Sequence, residues 1–420
     1  MDAPIIVKIL VSLTVILAGS KVLKNLPLSV VFGTLLLAFW SGHGPSSVLQ
    51  IAAARFFSLD NASLLLVVFL VIWLSNQMDR THIMRDLVTS LRSILSPRSA
   101  IAVLPAVIGL LPMPGGALFS APLVDDVDEK QEVPALLKSQ VNYWFRHVWE
   151  LTWPLYPGVL LAMELSGLQV HNMFIIGLPM MFTMILGGYL FILRKVHITA
   201  VTTKRSEHHI LKLLSPILII VLVYALIMTF IPGITGISKY LPMILGISIS
   251  MIVLQIQRPL QAIAWKGIFF SKQAITMAGL VALIRIYGAF IEAPLPGGVL
   301  LMEQMRVELN SIGIPLIVLV LLIAFISGLT TGISVGFVGA SFPIAYSLLG
   351  MDADTITRMG ILALTYPFGL MGVMLSPVHV CFIVTSEHFK TSMVRSMGRL
   401  FLPAVLVLMV SFTIGQMLLR

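Results

Sequence analysis

The stretch Leu110–Val127, LLPMPGGALFSAPLVDDV, places a Pro-Met-Pro-Gly-Gly string inside an apolar region. Proline removes a backbone donor and clashes with the preceding turn, and glycine is a poor helix former, so no regular helix continues through this string. Lipid cannot satisfy bare backbone N–H and C=O groups, so irregular backbone at membrane depth is tolerated only inside protein or along a cavity. The stretch therefore predicts a buried turn at the centre of a membrane protein.

The composition is that of a membrane protein. Of 420 residues, 58% are hydrophobic and 11% are charged, with a mean hydropathy of +1.01, whereas a soluble domain has about 25% charged residues. The net charge of +9 does not indicate a nucleic-acid partner, because the basic residues fall in loops between apolar segments, as the positive-inside rule describes. Cys381 is the single cysteine, which excludes an internal disulfide and a multi-cysteine metal site.

Apolar segments near or above roughly 18 residues recur along the chain, which predicts an all-α polytopic membrane protein. The N-terminal segment lacks a basic start and a small-residue cleavage motif, so we interpret it as the first span. The predicted spans are about 3–20, 26–41, 61–78, 142–167, 172–193, 213–231, 239–257, 272–291, 358–386 and 400–419. Two further apolar regions, 99–124 and 314–349, need a separate interpretation.

The basic residues decide between hairpins and spans for these two regions. The clusters are Lys21 and Lys24; Arg80, Arg85, Arg92 and Arg98; Arg194, Lys195, Lys204, Arg205 and Lys212; Arg258 and Lys266; and Lys390, Arg395 and Arg399. If both regions enter and leave by the same face, every cluster lies in the cytoplasm; if both cross, the clusters before and after them lie on opposite faces. The charge rule therefore favours two re-entrant hairpins, a cytoplasmic (inner) membrane location, and both termini outside.

The two halves of the chain repeat. Tyr143-Trp-Phe, Pro154 and Glu164 align without gaps with Tyr366-Pro-Phe, Pro377 and Glu387, and Ser120-Ala-Pro122 aligns with Ser341-Phe-Pro343 at a similar separation. An odd number of spans per half inverts the second half, which is an architecture of secondary transporters with the site near the midplane. We predict a first repeat over 1–194, a cytoplasmic basic linker over 195–212, and a second repeat over 213–420.

The hairpin tips are the predicted substrate site, because a helix that begins inside the protein offers free N–H groups and partial positive charge to an anion. Close helix packing through small residues is the alternative. The predicted binding residues are Pro112, Pro114, Gly115, Gly116 and Ser120 in the first hairpin, and Thr330, Thr331, Ser334 and Ser341 in the second.

The spans that follow the hairpins contain prolines near their middles, which predicts broken helices. Pro154 and Pro157 stand in the first, and Ser376 and Pro377 stand in the second. A proline frees upstream carbonyls that could coordinate Na⁺, so we predict a sodium site near these residues. A purely structural kink is the alternative.

Ionisable residues inside spans are candidate site residues by default. Arg285 lies deep in its span and needs either an anionic ligand or a carboxylate partner, so a substrate role and a structural ion pair both stay open. Arg146 and His147 are predicted to bind the substrate, although Arg146 could pair with Glu150 at i,i+4 spacing. His379 follows Pro377 and is a similar candidate.

Two further features have a simpler interpretation. Glu164 and Glu387 fall near predicted span ends, where interfacial placement is favoured. The Pro-Leu-Pro-Gly-Gly string at 294–298 is similar to the first hairpin tip, but by topology it falls in an external loop, where proline and glycine are ordinary turn residues.

The stretch PMPGGALFSAP at 112–122, followed by YWFRHVWE at 143–150, resembles the membrane family called domain of unknown function 401 over nearly the whole chain. That family is grouped with the ion-transporter superfamily. The resemblance implies paired re-entrant hairpins, broken helices, homodimers and elevator-like alternating access. The Ser-Asn-Thr tip motif of the dicarboxylate members is absent, since Pro-Met-Pro-Gly-Gly stands at the first tip.

The sequence thus predicts a secondary active transporter of a small anionic solute such as an organic acid, coupled to Na⁺ or H⁺. A cation/proton antiporter, in which Glu150 or Glu164 would dominate, is the alternative. A channel and an intramembrane enzyme are less favoured, and no H-E-x-x-H or G-x-S-x-G motif occurs. The expected partners are a small molecule or ion and the lipid bilayer, with no nucleic acid and no cofactor besides the coupling ion.

The predicted sidedness is tested with alkaline phosphatase, which is active only outside the cytoplasm. A fusion after Arg420 should be active, because both termini are predicted outside, and a matched fusion within 195–212 should be inactive. Phosphatase activity in cells measures both. The reverse pattern would contradict the charge argument.

Overall fold

The computed structural model describes residues 3–112, 116–199, 210–312, 315–349 and 353–420, and these residues form α-helices joined by turns, without β-strands. The helices before the linker are α1 (Ile5–Val22), α2 (Leu26–Trp40), α3 (Pro45–Phe56), α4 (Leu59–Arg80), α5 (Ile83–Arg92), α6 (Pro97–Gly109), α7 (Ala117–Val127), α8 (Ala135–Arg146), α9 (Pro157–Ser166) and α10 (Val170–Phe191). Those after it are α11 (Ile210–Phe230), α12 (Leu241–Gln257), α13 (Ala262–Phe269), α14 (Lys272–Glu292), α15 (Leu301–Ile312), α16 (Leu316–Thr331), α17 (Ser334–Leu349), α18 (Thr355–Met374), α19 (Val380–His388) and α20 (Met393–Leu418).

The predicted fold class is confirmed, since every predicted span coincides with a helix or with a pair of helices. Within the described ranges, seven helical segments are long and apolar enough to cross a membrane, so the number of about ten spans stays a prediction. The sequence did not predict the short helices α3, α5, α13 and α15, which lie between the spans.

The two apolar regions that the charge pattern set apart fold as helical hairpins. Helix α6 packs against α7, and α16 packs against α17. The first arm of each hairpin also packs on the helix that comes after the hairpin, so α6 contacts α8 and α16 contacts α18. Glycines allow these close crossings: a Cβ on Gly109 would lie 2.0 Å from the carbonyl oxygen of Arg146, and one on Gly328 would lie 2.1 Å from that of Gly369. The hairpin arms thus contact the backbone of the broken helices directly.

The predicted breaks are confirmed in both spans that follow the hairpins. Helix α8 ends at Arg146, a 3-10 turn covers Val148–Leu151, and α9 begins at Pro157, where the missing N–H is tolerated in the first helical turn. Helix α18 ends at Met374, and α19 begins at Val380. Each break leaves helix ends inside the protein that need partners.

The halves of the chain interlock. The second arm of each hairpin packs on the broken span of the other half, with α7 on α19 and α17 on α9. Helix α2 packs on α14 and α4 packs on α12, while α10 packs on α20. The two tips and the two breaks consequently meet at the centre. The division into inverted repeats stays a prediction.

The Pro-Leu-Pro-Gly-Gly string at 294–298 forms a surface turn between α14 and α15, as the topology predicted. Leu295 donates to the carbonyl of Val299 at 2.8 Å, Gly298 donates to that of Leu295 at 2.8 Å, and Gly298 has a φ of +85°. Pro296 and Gly297 are exposed, so this string is not a third buried tip.

Gly328→Ala should destabilise the protein by about 1–3 kcal/mol, the usual effect of overpacking, because the new methyl group would overlap the Gly369 carbonyl. Gly279→Ala in α14 is the matched control, since no atom lies within 4 Å of its Cβ position. Thermal unfolding of the purified protein measures both. Equal stability of the two variants would contradict the described crossing.

Candidate functional site

A cavity of about 140 Å³ lies where the two hairpin tips meet the two helix breaks. The first tip contributes Pro112, and the second contributes the run from Gly332 to Val335. The remaining lining residues are Ile72 of α4, Arg146 and Glu150, Tyr156, Pro157 and Gly158 in the first break, Gln273 and Met277 of α14, and His379, Val380 and Cys381 in the second break. The cavity therefore joins both halves of the chain.

Three helices begin at the wall of this cavity. The first two residues of α9, of α17 and of α19 all line it. The first turn of a helix presents unpaired N–H groups, and the aligned peptide dipoles place about half a positive charge there. The convergence of three such ends offers backbone N–H groups and partial positive charge to an anion at one place.

Arg146 adds a full positive charge to the same wall. It is the last residue of α8, and only 2% of its surface is exposed. Its Nη1 donates a hydrogen bond to the Sγ of Cys381 at 3.3 Å. A Cβ on Gly116 would lie 2.0 Å from its Nη2, so the first hairpin packs directly on the guanidinium group. Arg146 thus connects the tip of one half with the broken helix of the other.

Two histidines face each other across the breaks. The Nε2 atoms of His147 and His379 lie 3.1 Å apart. The Nδ1 of His147 contacts the carbonyl oxygen of Tyr143 at 2.6 Å, and that of His379 contacts the carbonyl oxygen of Gly332 at 2.6 Å. Carbonyl oxygens only accept, so each Nδ1 carries a proton and the two Nε2 atoms face each other.

A thiol and a carboxylate complete the cluster. The Sγ of Cys381 and the nearest nitrogens of His147 and His379 all lie within 4.8 Å of one another. An oxygen of Glu150 lies 3.8 Å from the Nε2 of His147. All four side chains are buried. Imidazole and thiolate are ligands of transition metals, so these residues could hold a metal ion.

The structure brings some of the predicted tip residues together. Pro112 and Ser334 line the cavity, and Gly116 packs on Arg146. Pro114 and Gly115 lie outside the described residues. The hydroxyls of Thr330, Thr331 and Ser341 donate to carbonyls of their own helices, and Ser120 is buried in α7. Substrate binding by these residues stays a prediction.

The residues predicted near sodium lie in the breaks. Pro157 begins α9 at the cavity wall, and Pro154 is buried in the preceding turn. The hydroxyl of Ser376 donates to the Leu329 carbonyl at 2.7 Å, which ties the second break to hairpin two, whereas Pro377 is exposed. Sodium binding here stays a prediction.

Arg285 is away from the described cavity lining and takes part in an ion pair, one of the two roles that the sequence left open. Its Nη2 lies 2.6 Å from Glu164, whose other oxygen contacts Lys239 and the Tyr240 hydroxyl, each at 2.7 Å. Glu164 is buried near the end of α9, where these donors stabilise its carboxylate, and its placement at the membrane interface stays a prediction. Glu387 is exposed.

The sequence profile of the family described as "Protein of unknown function (DUF401)" matches residues 6–417. This chain belongs to the DUF401 family. The match confirms the resemblance that the first hairpin and the following aromatic segment indicated. No curated protein matches the chain.

A solved structure shares the fold of this DUF401 protein. It is described as "Crystal structure of the Alcanivorax borkumensis YdaH transporter reveals an unusual topology". The likeness has a TM-score of 0.59 and 13% sequence identity, and it covers 88% of this chain and 87% of the other. At this identity the likeness concerns the fold.

Sequence reasoning missed Cys381, Tyr156, Gln273 and Met277 as cavity residues. A signal existed for Cys381, because His379-Val-Cys381 begins two residues after Pro377, beside the second break. Nothing in the sequence indicated Gln273 and Met277, since only the packing of α14 brings them to the cavity.

Glu164→Gln should destabilise the protein by about 3–5 kcal/mol, because it leaves Arg285 and Lys239 without their buried carboxylate partner. Arg55→Gln, which breaks the exposed Arg55–Glu292 pair, is the control and should change stability by about 1 kcal/mol or less. Chemical or thermal unfolding compares them. Equal effects would contradict the described pairing of Arg285.

Proposed function

We propose that this DUF401 protein is a secondary active transporter of a small anionic solute such as an organic acid, coupled to Na⁺ or H⁺, in the cytoplasmic membrane. The convergence of three helix N-termini and Arg146 on one cavity carries this proposal. Helix N-termini and a guanidinium group are donors that suit an anion, while Glu150 places one carboxylate on the same wall.

The hairpins provide a way for the site to change its access. A second cavity of about 450 Å³ lies between α5 and hairpin one and has Asp79, Arg85, Arg92 and Asp126 among its lining residues. Leu111 lines this second cavity, and the adjacent Pro112 lines the central one. By the predicted sidedness the second cavity opens to the cytoplasm. Movement of hairpin one would join the two cavities and open the site to one side, and we propose that this gating accompanies elevator-like alternating access in a homodimer.

Two matching contacts support the proposed inverted repeat. In the first half, the Tyr156 hydroxyl at the break donates to the carbonyl of Gly109 at the end of α6. In the second half, His379 at the break donates to the carbonyl of Gly332 directly after α16. Along the sequence, Tyr156 precedes His379 by the same number of residues as Tyr143 precedes Tyr366. The same number of residues separates Gly109 from Gly332. Each contact fixes the end of a first hairpin arm.

The solved protein of similar fold is named a transporter, which supports transport here, although a fold alone does not set function. The cation/proton antiporter is the rival. In that case Glu150 would be the working carboxylate, since it lines the cavity, whereas Glu164 is held by Arg285 and Lys239. Loss of cation-dependent proton flux in Glu150→Gln, with flux retained in Arg146→Gln, would favour the antiporter.

Small organic acids should raise the stability of the purified protein in a thermal-shift screen performed with and without Na⁺. A ligand present at about 100 times its Kd stabilises by about 2.7 kcal/mol. Arg146→Gln should abolish this stabilisation, Arg146→Lys should retain part of it, and the exposed-pair variant Arg55→Gln should retain all of it. Stabilisation by a cation alone, with no effect of any anion, would contradict the proposal.

A further inference from the structure

We propose that His147, His379 and Cys381 form a binding site for a transition-metal ion, with Zn²⁺ as the ion that fits best. This inference goes beyond transport, and it is tested with metal alone. The three ligand atoms come from the two breaks, where His147 follows α8 directly and His379 and Cys381 flank the first residue of α19.

The orientation of the two imidazoles is the first argument. Both Nδ1 atoms donate to backbone carbonyls, so the two Nε2 atoms face each other at 3.1 Å. Two unprotonated nitrogens would repel at this distance, so either a proton or a metal ion must lie between them. Tetrahedral Zn²⁺ with bonds of about 2.0–2.1 Å places two ligand nitrogens about 3.3 Å apart, close to the observed separation.

The outer contacts are the second argument. A metal-bound histidine almost always donates its other ring N–H to a carboxylate or a backbone carbonyl, which fixes the tautomer and the ring orientation. Both histidines have this partner, in the carbonyls of Tyr143 and Gly332. The Tyr143 ring stacks on Phe382 with centroids 4.5 Å apart, so aromatic packing holds α8 and α19 in place around the cluster.

Charge and access also fit a metal ion. A thiolate at Cys381 and the carboxylate of Glu150 offer two negative charges against the positive charge of Arg146, whose hydrogen bond to Sγ favours the thiolate. His379 and Cys381 line the central cavity, so a fourth coordination position would face open space. With Zn²⁺ bound, the cluster would carry a net positive charge and remain suited to an anion.

The donor set selects the kind of ion. Two imidazole nitrogens and one thiolate sulfur suit Zn²⁺ and related transition metals, whereas Na⁺, Mg²⁺ and Ca²⁺ prefer oxygen ligands. Three protein ligands with an open fourth position are characteristic of zinc sites that bind a further small ligand.

Co²⁺ is the probe, because a Co²⁺–thiolate bond gives a near-ultraviolet charge-transfer band. Cys381 is the single cysteine, so a band in the tag-free protein can come only from this site. We expect one Co²⁺ per chain, displacement of the band by Zn²⁺, and a rise in thermal stability with Zn²⁺ concentration. The pH is kept above neutrality, because metal ligands must be deprotonated.

The variants separate this site from adventitious binding. Cys381→Ser should remove the band and weaken Zn²⁺ binding, and His379→Asn should weaken Zn²⁺ binding by more than the about 10–100-fold that loss of an outer-shell partner causes. His197→Asn, at an exposed histidine that contacts a backbone carbonyl in the same way, is the matched control and should leave both signals unchanged.

The absence of a charge-transfer band in folded wild-type protein would overturn the proposal. So would Zn²⁺ stabilisation that survives both Cys381→Ser and His379→Asn. A third contradicting result is a thermal stability of the wild-type protein that changes with pH but does not respond to metal. The last result would show that a shared proton, rather than a metal ion, lies between the imidazoles. Anion binding is measured in a separate thermal-shift experiment, so failure of the metal proposal and failure of the proposed transport function are distinguishable.

Discussion

Backbone groups at the ends of helices inside a membrane protein must find partners within the protein, and this constraint organises the centre of the molecule. Two hairpins and two broken spans create buried helix ends, which lipid cannot satisfy. The fold brings these ends together, so that Tyr156 and His379 satisfy carbonyls at the ends of α6 and α16. The N–H ends of α9, α17 and α19 are left around one cavity. The cavity is thus a consequence of the breaks.

The positively charged groups at the cavity wall follow from the same geometry. Helix N-termini are partial cations, and Arg146 stands among them because α8 ends where hairpin one crosses it at Gly109. Arg285, by contrast, is neutralised by Glu164 at a separate buried cluster. Two buried arginines therefore have different surroundings: one has a carboxylate at 2.6 Å, and the other contacts a thiol at the cavity wall.

Much of this arrangement is readable from sequence, because prolines and glycines determine where apolar helices end. The string at Pro112–Gly116 and the prolines at Pro157 and Pro377 predicted the hairpin and the breaks. The residues that line the cavity were harder to predict from sequence, because hydroxyls such as that of Ser341 bond to carbonyls of their own helix. Gln273 and Met277 reach the cavity only through the packing of α14, which no local pattern encodes. Cys381 was missed because a single cysteine carries little information until His147 is placed beside it.

The central claim is that the cavity between the tips and the breaks binds an anion. Its most direct test is anomalous diffraction from crystals of the protein soaked in selenate, a small oxyanion with a strong selenium signal. The account predicts a selenium peak inside the cavity, within hydrogen-bond reach of Arg146 and the first turns of α9, α17 and α19. Selenium peaks confined to the protein surface, with none inside the cavity, would contradict it.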